Sequence, residues 1–208
     1  MVPQTQTSPE MLLEMLLHLG RLAPAGERAA ASPAALSTAQ WTALRYLANA
    51  NRFSRTPSAF AKFHGTTRGT ASQTIRGLVK QGYLTQCRAL GDGRGRQLDL
   101  TEKAKAMRPC DPFEAVVRAA GELPLVARRQ FGTTLAQILQ SVAQEKGARP
   151  FGTCTSCRHL DRGGPDPHSE KNYACGMTQN LLDNEALEQL CVNFQRADPS
   201  AAARTAAH

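Results

Sequence analysis

Apolar residues recur at helical spacing over most of the first 147 residues. The pattern predicts an amphipathic helix over Glu10–Leu22 and a second one over Thr38–Ala50, for which Ser37 is a typical N-cap. The apolar faces of these helices consist of Met11, Leu12, Met15, Leu16 and Leu19 and of Trp41, Leu44 and Leu47. The segment Asn51–Thr56 then interrupts the pattern.

Further helices follow the interruption. Pro57 suits the first turn of a helix that runs to Phe63, because proline has a helical φ and its missing N–H is not needed there. Thr67 opens the next helix, and Gly82 lies just past its end. Beyond residue 100 the pattern predicts helices over residues 101–107, 113–120 and 123–146.

A β-hairpin is predicted between residues 83 and 100. Tyr83–Arg88 has the composition of a strand, and Arg96–Leu100 alternates polar and apolar residues as a half-buried strand does. The glycine-rich run 90–95 between them predicts a mobile, basic tip. Three short helices followed by a basic hairpin are typical of a winged helix-turn-helix.

Positive charge is concentrated in this central part of the chain. The formal net charge is +8, and between Arg45 and Arg108 there are 13 Lys and Arg residues against 3 acidic ones, a net +10. The flanking parts, residues 1–44 and 109–208, each sum to −1. Such a distribution indicates a phosphate-binding module, with a solvated basic face as the alternative.

The helix that Thr67 opens suits the major groove of DNA. Its first half carries small and polar residues, which allow close approach to phosphates and base edges, and its second half becomes apolar and packs on the core. The wing adds cations that reach the minor groove or the backbone. The candidate DNA-binding residues are Thr67, Arg68, Thr70, Ser72, Gln73, Arg76, Arg88, Arg94 and Arg96.

Three motifs in this region resemble the MarR family of transcriptional regulators. They are STAQWTALRYL at residues 37–47, TASQTIRGLVKQGYL at residues 70–84, and DGR at 92–94 followed by LDLT at 98–101. The resemblance covers residues 10–147. It implies that Arg94 enters the minor groove and that Asp92 helps to shape the wing. It also implies an obligate homodimer, formed by the first helix and the last helices, that binds a pseudo-palindromic double-stranded operator.

The C-terminal part carries a different chemistry, based on cysteine. Cys154 and Cys157 form a Cys-x-x-Cys pair, Cys175 follows after 17 residues, and Cys191 follows after 15 more. The segment is poor in regular apolar periods, and four clustered cysteines in a cytosolic chain indicate a metal site rather than disulfides. Cys191 is expected on a helix over Asn184–Phe194.

The metal is predicted to be a [4Fe–4S] cluster. Zinc ribbons usually present two Cys-x-x-Cys pairs, whereas single thiolates from separate elements suit a cubane, in which each iron takes one cysteine. The spacing is also similar to that of the iron–sulfur motif of family 4 uracil-DNA glycosylases. Structural zinc and a metal-free thiol switch remain alternatives. His159 and His168 are alternative ligands, although both are expected to be exposed loop residues, and Cys87 and Cys110 are expected to be inert.

Several classes of protein are not supported by the sequence. No apolar run is long enough for a membrane helix, and the N-terminus lacks the features of a signal peptide, so a cytoplasmic protein is expected. The glycines at positions 91, 93 and 95 belong to a wing turn rather than to a nucleotide-binding loop. Neither a Ser/His/Asp set nor a carboxylate pair is evident, so no enzymatic activity is expected.

The sequence therefore predicts a mainly α fold with a small β-hairpin wing. Residues 37–108 form a winged helix DNA-binding domain, 10–36 and 109–147 a helical dimerisation region, and 148–196 a four-cysteine metal-binding extension, with residues 1–9 and 197–208 disordered. The predicted function is a dimeric regulator, a repressor, whose DNA binding is modulated by a cluster that senses redox state, oxygen or iron. The alternatives are a MarR-like regulator with structural zinc and a small-molecule effector, and a redox enzyme.

Overall fold

The computed structural model describes residues 7–22, 36–88, 96–148, 150–163 and 173–197, without the side chain of Arg88. The helices are α1 (Pro9–Leu22), α2 (Thr38–Asn49), α3 (Pro57–His64), α4 (Arg68–Lys80), α5 (Glu102–Ala106), α6 (Glu114–Glu122), α7 (Leu125–Glu145) and α8 (Asn184–Leu187). The strands are β1 (Leu84–Arg88), β2 (Arg96–Leu100), β3 (Leu160–Asp161), β4 (Tyr173–Cys175) and β5 (Asn180–Leu182). The helices predicted between residues 10 and 146 are confirmed, with ends that agree within two residues.

The two segments expected to be disordered fall mostly outside the described residues. Only Thr7–Pro9 and Ala197 of these segments are described, and Pro9 is already the first residue of α1. The glycine-rich tip at residues 90–95 also lies outside the described residues, and so does His168.

Side-chain caps fix where the central helices begin. Ser37 and Gln40 form a capping box. The Ser37 hydroxyl accepts the backbone N–H of Gln40 at 3.3 Å, and the side-chain oxygen Oε1 of Gln40 accepts the backbone N–H of Ser37 at 2.8 Å. Thr56, Thr67 and Thr101 cap α3, α4 and α5 through their hydroxyl groups. Each capped N–H would otherwise lack a partner, so these local sequence signals determine the helix boundaries.

The turn between α3 and α4 depends on a glycine. Gly65 has a φ of +61°, in the left-handed region that residues with a Cβ rarely adopt, and its N–H donates to the carbonyl of Lys62. This turn reverses the chain within a few residues, so α4 packs against α3 and α2 as in a helix-turn-helix.

The main core lies between α2, α3, α4 and the hairpin of β1 and β2. Trp41, Leu44 and Leu47 are buried on α2, as their spacing predicts. Leu78 of α4 and Leu98 of β2 are fully buried in the same cluster. The hairpin pairs Leu84 with Leu100 and Arg88 with Arg96. The predicted winged arrangement is therefore present in the described residues.

Replacing Leu47 with alanine should lower the free energy of unfolding by about 3 kcal/mol, because Leu47 is 0% exposed and truncation leaves a cavity. Chemical denaturation of the full chain measures the change. Leu181→Ala is the matched control at a 46% exposed leucine, and its effect should stay within about 0.5 kcal/mol. Equal losses in the two variants would contradict the assignment of Leu47 to the core.

The mainly α fold with a hairpin wing is present, and the extension adds a second sheet that the sequence did not predict. Strands β3, β4 and β5 form an antiparallel sheet, with Tyr173 opposite Leu182 and Leu160 opposite Cys175. A small cluster of Cys154, Leu182 and Leu187 lies against this sheet. Strands of two or three residues are too short to leave an alternating pattern in the sequence.

The prediction of a helix over Asn184–Phe194 is wrong. Helix α8 ends at Leu187, and Leu190 then pairs with the end of α2. The Leu190 N–H donates to the carbonyl of Asn49 at 2.7 Å, and the Leu190 carbonyl accepts the Asn51 N–H at 2.9 Å. Long-range backbone bonds therefore replace the helical bonds that the local sequence favours.

Helices α1, α6 and α7 bury no residue in the described part of the chain, although they are rich in apolar side chains. The exposed apolar side chains of α1 include Met11, Leu12, Leu13, Met15, Leu16, Leu17 and Leu19, and those of α7 include Val126, Phe131, Ile138, Leu139 and Val142. Across the described ranges, none of the helices combines the length and hydropathy needed to cross a bilayer.

Candidate nucleic-acid interface and cysteine-lined cavity

The exposed face of α4 carries most of the residues predicted to contact DNA. Ala71, Ile75 and Leu78 anchor the opposite face of this helix in the core. Of the predicted residues, Thr67, Arg68, Thr70, Gln73 and Arg76 are exposed, and Ser72 is half-buried. The helix therefore presents one continuous polar surface.

Three of these side chains, Thr67, Thr70 and Arg76, have hydrogen-bond partners in the helix or at its cap. The Thr67 hydroxyl accepts the Thr70 N–H at 3.1 Å and contacts the Thr70 hydroxyl at 2.9 Å. The Arg76 Nε donates to the carbonyl of Ser72 at 3.3 Å. Thr67 therefore orders the first turn of α4, and the Arg76 side chain lies along the exposed face.

The wing brings Arg88 and Arg96 together at the end of the hairpin next to its tip, where they are opposite each other in the register. Arg96 is exposed and donates to the Gln86 side chain at 3.4 Å. Arg94 and Asp92 lie outside the described residues.

The base of the wing contacts the connection between α2 and α3, residues 50–56, which we call the α2–α3 connection. The Leu98 N–H donates to the carbonyl of Arg55 at 2.8 Å. The Arg55 guanidinium donates to the carbonyl of Ala50 at 2.9 Å and lies 3.4 Å from the Asp99 carboxylate. No local pattern in the sequence indicates that these two segments meet.

The four cysteines of the extension line one cavity, which we call the cysteine cavity. Cys154 begins a 3-10 helix, Cys157 directly follows it, Cys175 ends β4, and Cys191 forms a bridge with Gly152. The sequence predicted this set of four residues, but it placed Cys191 on a helix. Phe53, Leu160, Met177 and Leu182 supply apolar lining.

Electrostatics supports the close approach of the four thiols. Burial, followed by charge on Cys191, Cys157 and Cys175, raises the pKa of Cys154 to about 11. Burial also raises the pKa of Tyr46 on α2, with a second contribution from Cys191. The cavity therefore lies next to the winged helix domain.

The described residues contain no group of three or more His, Cys, Asp or Glu side chains close enough to hold a single metal ion. The four cysteines nevertheless share one cavity. Four thiolates around one zinc ion lie about 3.8 Å apart, given a Zn–S bond of about 2.3 Å. The cysteine cavity thus has the donors for a metal centre, but its described residues do not form a ready site for a single ion.

Three buried polar atoms at this cavity lack a hydrogen-bond partner among the described residues. They are Asn51 Nδ2, His159 Nε2 and Thr178 Oγ1, and all three residues line the cavity. Buried polar atoms are nearly always paired, so the lining fits a bound group that accepts hydrogen bonds, such as thiolate and sulfide sulfur. On this test the residues fit an iron–sulfur cluster.

The sequence predicted His159 to be an exposed loop residue, but the residue is less exposed than predicted. It is half-buried, its Nε2 is fully shielded, and its carbonyl accepts the Gly176 N–H at 2.8 Å. Sequence reasoning also missed Asn51 and Phe53 as parts of the site. The signal available for both was the break in the helical pattern at Asn51–Thr56, which supplies this wall of the cavity.

Cys87 and Cys110 lie away from the cysteine cavity. Both are exposed, and Cys87 is on β1, where its sulfur lies 3.8 Å from the Asp99 carboxylate. They therefore provide matched controls for substitutions of the four cavity cysteines.

The α2–α3 connection also joins the winged helix domain to the extension. The Ser54 hydroxyl accepts the Val192 N–H at 3.1 Å, and Arg52 donates to the carbonyl of Leu181 at 3.3 Å. The rings of Phe63 and Phe151 are 4.7 Å apart. The extension therefore packs against the winged helix domain within one chain.

Several solved structures are similar to this chain at low sequence identity. Among solved structures, a MarR transcriptional regulator from Methanosarcina mazei Go1 is 19% identical, covering 65% of this chain and 98% of that chain with a TM-score of 0.47. Streptococcus pneumoniae FabT in complex with DNA is 20% identical over 65% and 94% of the two chains, with a TM-score of 0.47. The S. aureus MepR–DNA complex is 17% identical over 67% and 99%, with a TM-score of 0.48.

No curated protein matches the chain with significance. The MarR family model matches residues 36–95, which include α2, α3, α4 and β1. This segment holds the helix-turn-helix and the first strand of the wing, whereas β2 and the four cavity cysteines lie outside it. Over residues 36–95, the chain is therefore similar to the MarR family of transcriptional regulators.

Proposed function

We propose that this chain is a homodimeric, sequence-specific DNA-binding regulator of the MarR type, a repressor, whose DNA binding responds to a [4Fe–4S] cluster held by the extension. The observation that carries the proposal is the exposed polar face of α4 inside the segment that matches the MarR family model. The four cysteines that line one cavity support the second part of the proposal, in which a metal centre controls DNA binding.

The DNA-binding mode follows from how α4 is held. Its apolar face is fixed in the core, so its polar face can enter the major groove without rearrangement. Arg68 and Arg76 supply cations, and Gln73 supplies an amide that can read adenine. The wing cations Arg88, Arg94 and Arg96 contact the adjacent backbone or minor groove in this mode.

Replacing both Arg68 and Arg76 with alanine should weaken DNA binding at least tenfold, because each arginine is worth about 1–3 kcal/mol at a base and less at a phosphate. Fluorescence anisotropy with a duplex selected by the wild-type protein measures the effect. The slope of log K against log salt should fall by about 0.9 for each DNA phosphate that the variant no longer neutralises.

Arg158→Ala is the control for this experiment, because Arg158 is an exposed cation of the extension. It should leave both the affinity and the salt slope close to the wild-type values. If the α4 double variant binds the duplex as the wild type does, α4 is not the DNA-reading helix.

A second copy of this chain is the proposed partner of the apolar helices. An isolated helix of 14 residues is marginal in water, and α1 has that length, buries none of its residues and exposes seven or more large apolar side chains. Helices α6 and α7 have the same unburied apolar character. Pairing of α1 with α6 and α7 of a second copy would bury these faces and place two α4 helices at neighbouring major grooves.

The cluster is preferred over structural zinc for two reasons. The four cysteines share one cavity although the described residues form no group that holds a single ion, and among those residues the lining has polar atoms without a partner that can donate to sulfur. A bound [4Fe–4S] cluster would supply redox chemistry and sensitivity to oxygen and iron. Cys154, Cys157, Cys175 and Cys191 would each hold one iron, while the apolar lining limits the access of water.

The site lies where it can influence DNA binding. The extension contacts the α2–α3 connection, and this connection contacts the base of the wing. Binding of a metal centre also contributes free energy of folding to an extension with only a small apolar core. The second candidate function keeps the regulator but assigns structural zinc to the cavity and a small-molecule effector to the dimer.

A further inference from the structure

We propose that Asn51 donates a hydrogen bond from its side chain to sulfur of the cluster in the cysteine cavity, and that the DNA-binding domain senses the cluster through this contact. The inference rests on the proposed cluster and assigns its coupling to one positioning residue. Asn51 belongs to the α2–α3 connection, whereas all four cavity cysteines belong to the extension.

The orientation of the Asn51 amide supports a donor role. The side chain is 1% exposed, and its Oδ1 accepts the Ser54 N–H at 3.0 Å. Because exchanging the amide oxygen and nitrogen would lose this bond, the Nδ2 atom is fixed on the other side of the group. Asn51 lines the cysteine cavity, and its Nδ2 has no acceptor among the described residues. Cluster sulfur would supply that acceptor.

Asn51 differs from the other two unpaired groups at the cavity. His159 and Thr178 belong to the extension, so their contacts with a cluster would remain within it. Hydrogen bonds to cluster sulfur tune the reduction potential in iron–sulfur proteins. All three groups can therefore affect the cluster. Of the three, Asn51 is the one that transmits the state of the cluster to the DNA-binding domain.

The backbone around Asn51 is bonded to the strand segment that carries Cys191. The Asn51 N–H donates to the carbonyl of Leu190, the residue directly before Cys191. The Ser54 hydroxyl accepts the N–H of Val192, the residue directly after Cys191. A movement of Cys191 on loss of the cluster therefore acts on the α2–α3 connection from both sides.

The α2–α3 connection continues this contact to the wing. Arg55 is four residues from Asn51, and its carbonyl accepts the N–H of Leu98, which is fully buried on β2. The Arg55 side chain links Ala50 and Asp99. The coupling therefore runs inside one protomer.

The reduction potential of the cluster tests the donor role. Asn51→Asp keeps the acceptor for Ser54 but replaces the donor with a charged oxygen, so we expect a lower midpoint potential in anaerobic titrations of the full chain. Asn49→Asp is the matched control, since exposed Asn49 donates to the carbonyl of Arg45 away from the cavity, and it should keep the wild-type potential. A wild-type potential in a loaded Asn51→Asp protein overturns the donor role.

Hydrogen exchange in the wild-type protein tests the coupling without any substitution. Removing the cluster should accelerate amide exchange in residues 51–56 and 190–192, while the buried amides of α2 keep their rates. Unchanged exchange in residues 51–56 overturns the coupling. If the wild-type protein contains zinc, or neither iron nor sulfide, the proposed cluster itself fails, whereas a loaded protein with insensitive Asn51 variants refutes this inference alone.

Discussion

Cys175→Ser should abolish cluster binding and lower the stability of the extension. Cys175 is half-buried at the end of β4, and its carbonyl accepts the N–H groups of Thr178 and Gln179, so serine fits the same backbone. We expect loss of iron and acid-labile sulfide from the anaerobically purified protein and a loss of brown colour. Structural metal sites contribute about 10 kcal/mol or more to folding in small domains, so a large drop in thermal stability of the extension is also expected.

The controls for this prediction are Cys87→Ser and Cys110→Ser, because both cysteines are exposed and lie away from the cavity. Both variants should retain full iron and sulfide. The operator affinity of Cys175→Ser should differ at least fivefold from that of the loaded wild-type protein, which is the lower end of typical coupling between two sites. Equal affinities would make the site structural, and a colourless wild-type protein with stoichiometric zinc would exclude the cluster.

The combined substitution Leu13→Glu with Leu17→Lys should produce a monomer with only a small part of the wild-type operator affinity. Leu13 and Leu17 are 55% and 43% exposed and lie one turn apart on α1. Glu and Lys at this spacing favour the helix, so the change replaces two exposed apolar side chains of α1 without weakening the helix itself. Light scattering after size exclusion reports the mass, and anisotropy reports the affinity.

The matched control for α1 is Leu13→Met with Leu17→Met, which preserves apolar character and approximate volume. This variant should remain dimeric and bind the operator like the wild type. A dimer that persists in the Glu and Lys variant would show that α1 does not form the interface, and a monomeric wild-type protein would contradict the proposed assembly.

Local signals account for the parts of the fold that could be predicted. Ser37 and Thr67 cap the helices that follow them, and the apolar spacing of α2 selects the residues that reach the core. These signals act over one or two helical turns, so they can be recognised in the sequence. The set of four cavity cysteines was predictable for a similar reason, because cysteine is rare and its clustering is informative.

Long-range pairing accounts for the parts that could not be predicted. Ser54 and Val192 are 138 residues apart, yet their hydrogen bond helps to fix the segment that carries Cys191. The same pairing overrides the helical tendency after Leu187 and brings Asn51 to the cavity. No local pattern in either segment identifies its partner, so the break after α2 could be recognised only as an interruption.

The bridge between Ala50 and Leu190 has a consequence for biosynthesis. Protein chains emerge from the ribosome N-terminus first, and domains fold as they emerge. The helix-turn-helix and the wing are complete by residue 100, but the carbonyl of Asn49 and the N–H of Asn51 receive their partner only when Leu190 has been synthesised. A nascent chain therefore carries a folded helix-turn-helix on an unfinished support until Leu190 has been added.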